Sequence, residues 1–181
     1  MLNGTFAAVT PRTAGFNSID VAAMRPESLL ATIGLMFVGA GSAGTSGGIK
    51  VSTFAILALI IWSQLRGDSD VTGFHRRIPE STQRRAMTVA LLAIALVVTA
   101  TGILLVSAET GIGDALFETV SAFGTVGLST GITPTLPAVD QVALMALMLI
   151  GRVGPVTLGA ALVLRARPSR YRLPEEGPLI G

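Results

Sequence analysis

Asp114-Ala-Leu-Phe-Glu-Thr-Val-Ser-Ala-Phe-Gly-Thr-Val-Gly-Leu-Ser129 decides the fold of this chain. Its first ten residues are largely apolar, but a helix needs ~20 such residues to cross a bilayer. A stretch of this length suits a helix that enters the membrane and turns back. It runs into Gly124 and then into a Thr-x-Gly tripeptide at Thr125, Val126 and Gly127. The same arrangement stands 112 positions earlier, where Thr13-Ala-Gly-Phe-Asn17 aligns with Thr125-Val-Gly-Leu-Ser129. Carried on without a gap, residues 29–39 fall on 141–151 and residues 2–12 on 114–124. The interval from Gly15 to Gly39 equals that from Gly127 to Gly151. Three alignments at one offset indicate a duplicated unit.

Composition sets the solvent. The 181 residues are 50% hydrophobic and 13% charged, against roughly 25% charged in soluble domains, and mean hydropathy is +0.68. A soluble enzyme, a disordered tail and a nucleic-acid-binding domain are excluded. The net charge of +2 and pI near 9.9 come without a continuous basic face. The absence of cysteine removes disulfides, thiolate metal sites and a thiol nucleophile. A single histidine, His75, reads as a solvated loop residue and leaves little room for metal or acid–base chemistry. The 21 glycines cluster inside apolar sequence, and irregular backbone at membrane depth is tolerated only where protein buries it or it lines a cavity. The fold class is therefore an all-α integral membrane protein.

Residues 88–106 form one plain span, nineteen residues without a charge. Residues 139–164 form a second candidate, interrupted by Arg152 and Pro155. The apolar runs 29–38 and 51–65 flank Gly39-Ala-Gly-Ser-Ala-Gly-Thr-Ser-Gly-Gly48. Two short helices split by glycines make a discontinuous transmembrane helix, a pointer to a transport site. Arg66, Arg76, Arg77, Arg84 and Arg85 crowd one linker, and Arg165, Arg167, Arg170 and Arg172 follow the last span. The positive-inside rule places both regions in the cytoplasm. The segments around Asp20, Glu27, Glu109, Asp114 and Asp140 then lie on the outer side. The expected organisation is a partial repeat (1–65), a cytoplasmic basic linker (66–85), a complete span–pore-helix–span repeat (86–164) and a cytoplasmic tail (165–181). The first copy lacks its first span, so the chain is expected to be the C-terminal part of a longer protein.

A Thr-x-Gly loop after a re-entrant helix has a clear chemical use. A potassium ion in the membrane must exchange its water shell for protein oxygens, and backbone carbonyls aimed inward supply them. Glycine tolerates the dihedrals this requires. The C-terminal end of the short helix carries negative partial charge toward the ion.

With these motifs in hand, the sequence resembles the Trk/Ktr/HKT superfamily of potassium transporters, most closely the bacterial Ktr and Trk membrane subunits. The family is built from four span–pore-helix–span repeats around one ion path. Thr13, Ala14, Gly15, Phe16 and Asn17 resemble its third filter strand. Thr125, Val126, Gly127, Leu128 and Ser129 resemble its fourth. Gly41-Ser-Ala-Gly-Thr-Ser-Gly-Gly-Ile-Lys50 resembles the intramembrane loop that gates the path below the filter. On that resemblance the gate comprises Gly41, Ser42, Gly44, Thr45, Ser46, Gly47, Gly48 and Lys50. Gly151-Arg-Val-Gly-Pro155 resembles the fourth repeat's motif, whose arginine, here Arg152, faces the gate. The resemblance implies K⁺ uptake across the cell membrane, with K⁺ held only by filter carbonyls and no cofactor in this chain. It further implies a homodimer of membrane subunits on a cytosolic nucleotide-binding regulatory subunit of RCK/KTN type.

Two other readings of the glycine run are available. Gly39-Ala-Gly-Ser-Ala-Gly44 satisfies G-x-G-x-x-G, which would make a nucleotide-binding membrane enzyme, but that motif needs a strand before it and an amphipathic helix after it. Residues 51–65 are apolar all round. A membrane scaffold with a degenerate filter is the other alternative. Arg152 is costly inside a span and is expected to face a cavity or a partner. Glu118, inside the short helix, either attracts cations or packs against a neighbouring donor.

Overall fold

The computed structural model describes residues 2–16, 20–41, 46–68, 70–73, 76–108 and 110–154. Among the described residues six α-helices follow one another: α1 Leu2–Val9, α2 Pro26–Phe37, α3 Val51–Arg66, α4 Glu80–Ser107, α5 Ile112–Gly124 and α6 Ala138–Val153. Between α3 and α4 lies a small antiparallel pair, β1 Thr72–Gly73 and β2 Arg76–Arg77, in register Thr72 to Arg77 and Gly73 to Arg76.

Local sequence explains where the helices start and stop. α2 opens with Pro26 in its first turn and Glu27 behind it, residues suited to the unpaired N–H groups and positive end of a helix. α6 opens after Pro137 with Asp140 in its first turn. Its start, Ala138, stands 112 positions after Pro26, the same offset that relates the two Thr-x-Gly segments. α3 ends on Gly67 in the left-handed region (φ 73°), and its Arg66 stacks over Trp62 at 5.0 Å.

Two sequence boundaries move. The linker expected over 66–85 ends sooner, because Pro79 and Glu80 start α4 and residues 80–85 are already helical. Within the span expected over 139–164, helix α6 ends at Val153. Gly154 takes φ 85°, and the residue before a proline is pushed out of the helical region. Residues 155–164 lie outside the described residues, as do His75 and the basic tail 165–181.

By length, α4 alone can cross a membrane: among the described residues it is the one helix sufficiently long and apolar. Its 28 residues reach ~42 Å at 1.5 Å each. α5, with 13 residues, reaches only ~20 Å, short of the ~30 Å hydrocarbon core. Yet α5 is the centre of the bundle. Every residue from Phe117 to Gly124 is buried. Ile33 and Met36 of α2, Ala93, Val97, Ala100 and Leu104 of α4, and Leu144 and Leu147 of α6 belong to the same core. The outer faces are oily: Leu91, Val98 and Val106 on α4, Phe54, Ile61 and Leu65 on α3, and Val142, Met145 and Leu149 on α6 are all exposed. Apolar surface on this scale is unsuited to water and suited to lipid or to further protein.

Candidate functional site

The site is built at the C-terminal end of α5, where the backbone stops being helical. Thr125 caps α5 in the left-handed region (φ 51°), with its N–H on the Ala122 carbonyl at 3.0 Å. Val126 N–H returns to the Ser121 carbonyl, also at 3.0 Å. A β-branched residue with positive φ is a steric outlier. Thr13 takes the same conformation (φ 68°) at the matching place in the first copy, and Gly15 (φ 70°) and Gly127 (φ 87°) follow two residues on. A regular strand sends successive residues to opposite faces. A change in the sign of φ at every second residue lets successive polar groups be gathered on one side. Sequence reasoning assigned this freedom to the glycines; the threonines share it.

The fold brings the two Thr-x-Gly segments side by side. A Cβ on Gly15 would lie 2.7 Å from the Val126 carbonyl oxygen, and one on Gly127 would lie 3.6 Å from Gly15 Cα. No side chain fits between the backbones at this crossing. Phe16, at 73% exposure, projects away from the packed core. Ala14 is exposed next to it, and Asn17 lies outside the described residues. Leu128 is buried and its carbonyl accepts the Ser121 hydroxyl, so that oxygen faces α5.

The glycine loop docks on the same point. Gly47 N–H donates to Thr125 Oγ1 at 3.0 Å. A Cβ on Gly47 would meet Thr125 Oγ1 at 2.8 Å, Thr125 Cγ2 at 2.9 Å and the Phe123 carbonyl oxygen at 3.0 Å. Gly48 (φ 76°) rests against Gly124 Cα. The loop is closed at its base: Gly39 N–H bonds Ile49 O at 2.8 Å, Val51 N–H bonds Ala40 O, and Ala40 N–H bonds Ser46 Oγ. Lys50 Nζ donates to Ser46 O at 2.6 Å, which ties that cation to the loop. Gly41 is exposed at the loop's entry, while Ser42, Gly44 and Thr45 lie outside the described residues. Helix α2, not a strand, leads into the loop, so the context a dinucleotide fingerprint needs is missing.

Arg152 sits in the last turn of α6 and is exposed; it makes no hydrogen bond to Gly41 or to the described loop residues 46–50. Its neighbour Gly151 is the buried one. A Cβ there would fall 2.0 Å from the Phe123 carbonyl oxygen, so α6 crosses the end of α5 backbone against backbone.

Two polar residues emerge that residue patterns did not place. Glu118 is only 5% exposed. Its Oε1 accepts the Thr130 N–H at 2.9 Å and the Ser129 hydroxyl, and its Oε2 accepts the Thr133 hydroxyl at 2.9 Å. Asp140, expected on the outer side, is fully buried at the start of α6. Its Oδ1 takes the Ser107 hydroxyl, while Oδ2 has no partner among the described residues. The run of hydroxyls Ser129-Thr-Gly-Ile-Thr133 beside a buried-helix carboxylate was the signal available for Glu118.

Comparison with known proteins places this geometry in context. The TrkH model, described as cation transport protein, matches residues 1–169. The Ktr system potassium uptake protein B of Vibrio alginolyticus is 38% identical over 176 residues, covering 97% of this chain and 38% of that protein. The protein of the same name from Bacillus subtilis (strain 168) is 41% identical over 152 residues, 84% of this chain and 34% of that protein. The potassium/sodium uptake protein NtpJ of Enterococcus hirae is 37% identical over 187 residues, 100% of this chain and 42% of that protein. The chain thus spans about two fifths of the length of these relatives.

Proposed function

Because this chain belongs to the TrkH family of cation transport proteins, we propose that it supplies two of the filter segments and the gate of a K⁺ uptake pathway in the cell membrane. In this reading residues 13–17 and 125–129 contribute backbone oxygens to a dehydrated cation, the Leu128 carbonyl excepted because it is turned onto α5. The single observation that carries it is the crossing of Gly15 on Val126 and Gly127, between segments 112 positions apart that share positive φ at threonine and glycine alike. Glycine is demanded by contact as well as by conformation at Gly15, and by conformation at Gly127.

The loop at 41–48 is the gate. It reaches the filter through Gly47 and Thr125, and its polar, glycine-rich backbone can plug a path or leave it without breaking a helix. Arg152, exposed at the end of α6, is positioned to meet the loop or a neighbouring segment at that depth. Residues 66–85 and the tail beyond 164 face the cytoplasm on this reading, where their arginines would meet a nucleotide-binding regulatory subunit beneath a membrane-subunit dimer. The Ktr system names of the relatives support a multi-subunit system.

Rubidium-tracer uptake in potassium-uptake-deficient cells tests the filter. The complete gene should restore uptake and favour K⁺ and Rb⁺ over Na⁺. Gly127→Ser should lower the Rb⁺:Na⁺ uptake ratio at least tenfold while the protein still reaches the membrane, because serine at φ 87° strains the segment that must present its carbonyls. A wild-type ratio in Gly127→Ser would reduce these segments to turns.

A further inference from the structure

We propose that Glu118 is a positioning residue for the outer end of the fourth filter segment, acting as a carboxyl brace between α5 and residues 129–133. The inference rests on the filter reading above. Glu118 lies midway along α5, two turns before the Thr-x-Gly segment begins, and it is buried. The chain then reverses and returns past it. Ser129, the last filter residue, donates its hydroxyl to Oε1; the next residue donates its N–H to the same oxygen at 2.9 Å; Thr133 donates to Oε2 at 2.9 Å. Ser129 Oγ in turn receives the Gly131 N–H at 2.9 Å. The near end of the same segment is held by α5 backbone through Thr125 and Val126, and its middle by Ser121 on the Leu128 carbonyl. Glu118 therefore fixes the one end of the segment that the helix backbone does not reach.

A carboxyl at this helix position belongs to one copy only. The position 112 residues earlier is Phe6, which is 43% exposed and has no acceptor to offer. The carboxyl anchor at this helix position is thus particular to the fourth segment. A carboxyl group suits this task because both oxygens accept, so one side chain can hold three donors from a five-residue turn. A carbonyl ring selects ions by where its oxygens stand, so loosening this end should change discrimination before it changes insertion.

Rb⁺:Na⁺ uptake ratios, measured in potassium-uptake-deficient cells carrying the complete gene, test the brace against a mere charge. Glu118→Leu keeps the volume, removes every acceptor, and should lower the ratio at least tenfold. Glu118→Gln keeps one oxygen for Ser129 and Thr130 and offers Thr133 an amide whose hydrogen its hydroxyl can accept; the ratio should stay within threefold of wild type. If Glu118→Leu fails to reach the membrane, the double variant Ser129→Ala/Thr133→Val decides instead, with the same tenfold loss expected while Glu118 remains. The proposal is overturned if Gln is as damaged as Leu, since charge and not bracing would then act. It is equally overturned if Leu, or the double variant, keeps the wild-type ratio and only lowers thermal stability. Gly127→Ser runs alongside: a wild-type ratio there sinks the filter reading itself, whereas loss there with full selectivity in the Glu118 variants sinks only the brace.

Discussion

Gly47→Ala probes the contact between loop and filter with a single methyl group. The added Cβ would stand 2.8 Å from Thr125 Oγ1, 2.9 Å from Thr125 Cγ2 and 3.0 Å from the Phe123 carbonyl oxygen. Two of these atoms belong to a side chain already fixed by its left-handed backbone, and the third is main chain, so no flexible neighbour can give way. Gly47 itself does not have positive φ, and alanine is therefore not strained by conformation; the whole effect comes from the docked contact. Overpacking of this kind costs about 1–3 kcal/mol. It falls on the docked loop alone, because an undocked loop has nothing to clash with. An equilibrium shifted by that amount moves roughly 5- to 150-fold. With a docked loop blocking the path, as proposed, K⁺ flux from proteoliposomes holding only the complete membrane subunit should rise by up to that factor. It should level off once undocked loops predominate. Gly102→Ala on α4, where a Cβ meets nothing within 4 Å, is the control for alanine substitution as such and should match wild type. If Gly47→Ala folds normally and its flux equals or falls below wild type, the loop is scaffold and the gate assignment is wrong.

Two further outcomes rest on the same packing and on the proposed orientation. Gly151→Ala sets a Cβ 2.0 Å from the Phe123 carbonyl oxygen and 2.9 Å from its carbon, so α6 must lift off α5; at the upper end of the overpacking range, about 3 kcal/mol, the melting midpoint in detergent should fall by roughly 6–12 °C, and an unchanged midpoint would refute the close crossing. Topology can be read with introduced cysteines, since the chain has none: an impermeant maleimide added outside intact cells should label Thr135→Cys and spare Arg76→Cys, both at exposed positions, and the reverse pattern would invert the proposed orientation.

Helix placement was legible because membrane-scale hydrophobicity is read directly from sequence. The runs 29–38 and 51–65 became α2 and α3, and 114–123 became the core of α5. What shifted were ends controlled by single residues. Pro79 and Glu80 start α4 eight residues before the apolar run, since arginines on the early turns can extend into water without stopping a helix. Gly154 and Pro155 stop α6 within an apolar run, where hydropathy counts side chains and ignores the backbone. The two Thr-x-Gly segments were legible as a repeated tripeptide, but their touching each other was not, because an offset of 112 says nothing of tertiary distance. Glu118 stayed ambiguous for a related reason. A carboxyl in an apolar helix announces that it needs partners, and only the return of residues 129–133 past α5 shows which they are.

The glycine content finds its physical meaning at one place, the last turn of α5. Gly47 and Gly151 both press on the Phe123 carbonyl oxygen, Gly48 on Gly124, Gly124 on the Met36 carbonyl, and Gly15 on Val126 just beyond. The loop, α2, α6 and both Thr-x-Gly segments therefore meet within four residues, largely main chain against main chain. Contacts of this kind leave no side chain to rotate aside, and packed interiors transmit displacement instead of absorbing it. A loop that withdraws Gly47 must release the hydroxyl of Thr125, the residue that ends α5 and opens the Thr-x-Gly segment. On the proposed reading gate and filter are then one mechanical unit: a loop movement large enough to clear the path would also free the cap of α5. Substitutions that undock the loop should then disturb ion discrimination as well as flux, and Gly47→Ala gives the measurement. Its Rb⁺:Na⁺ ratio should drop as its flux rises. A variant with high flux and an untouched ratio would show that the loop swings clear without the filter taking notice.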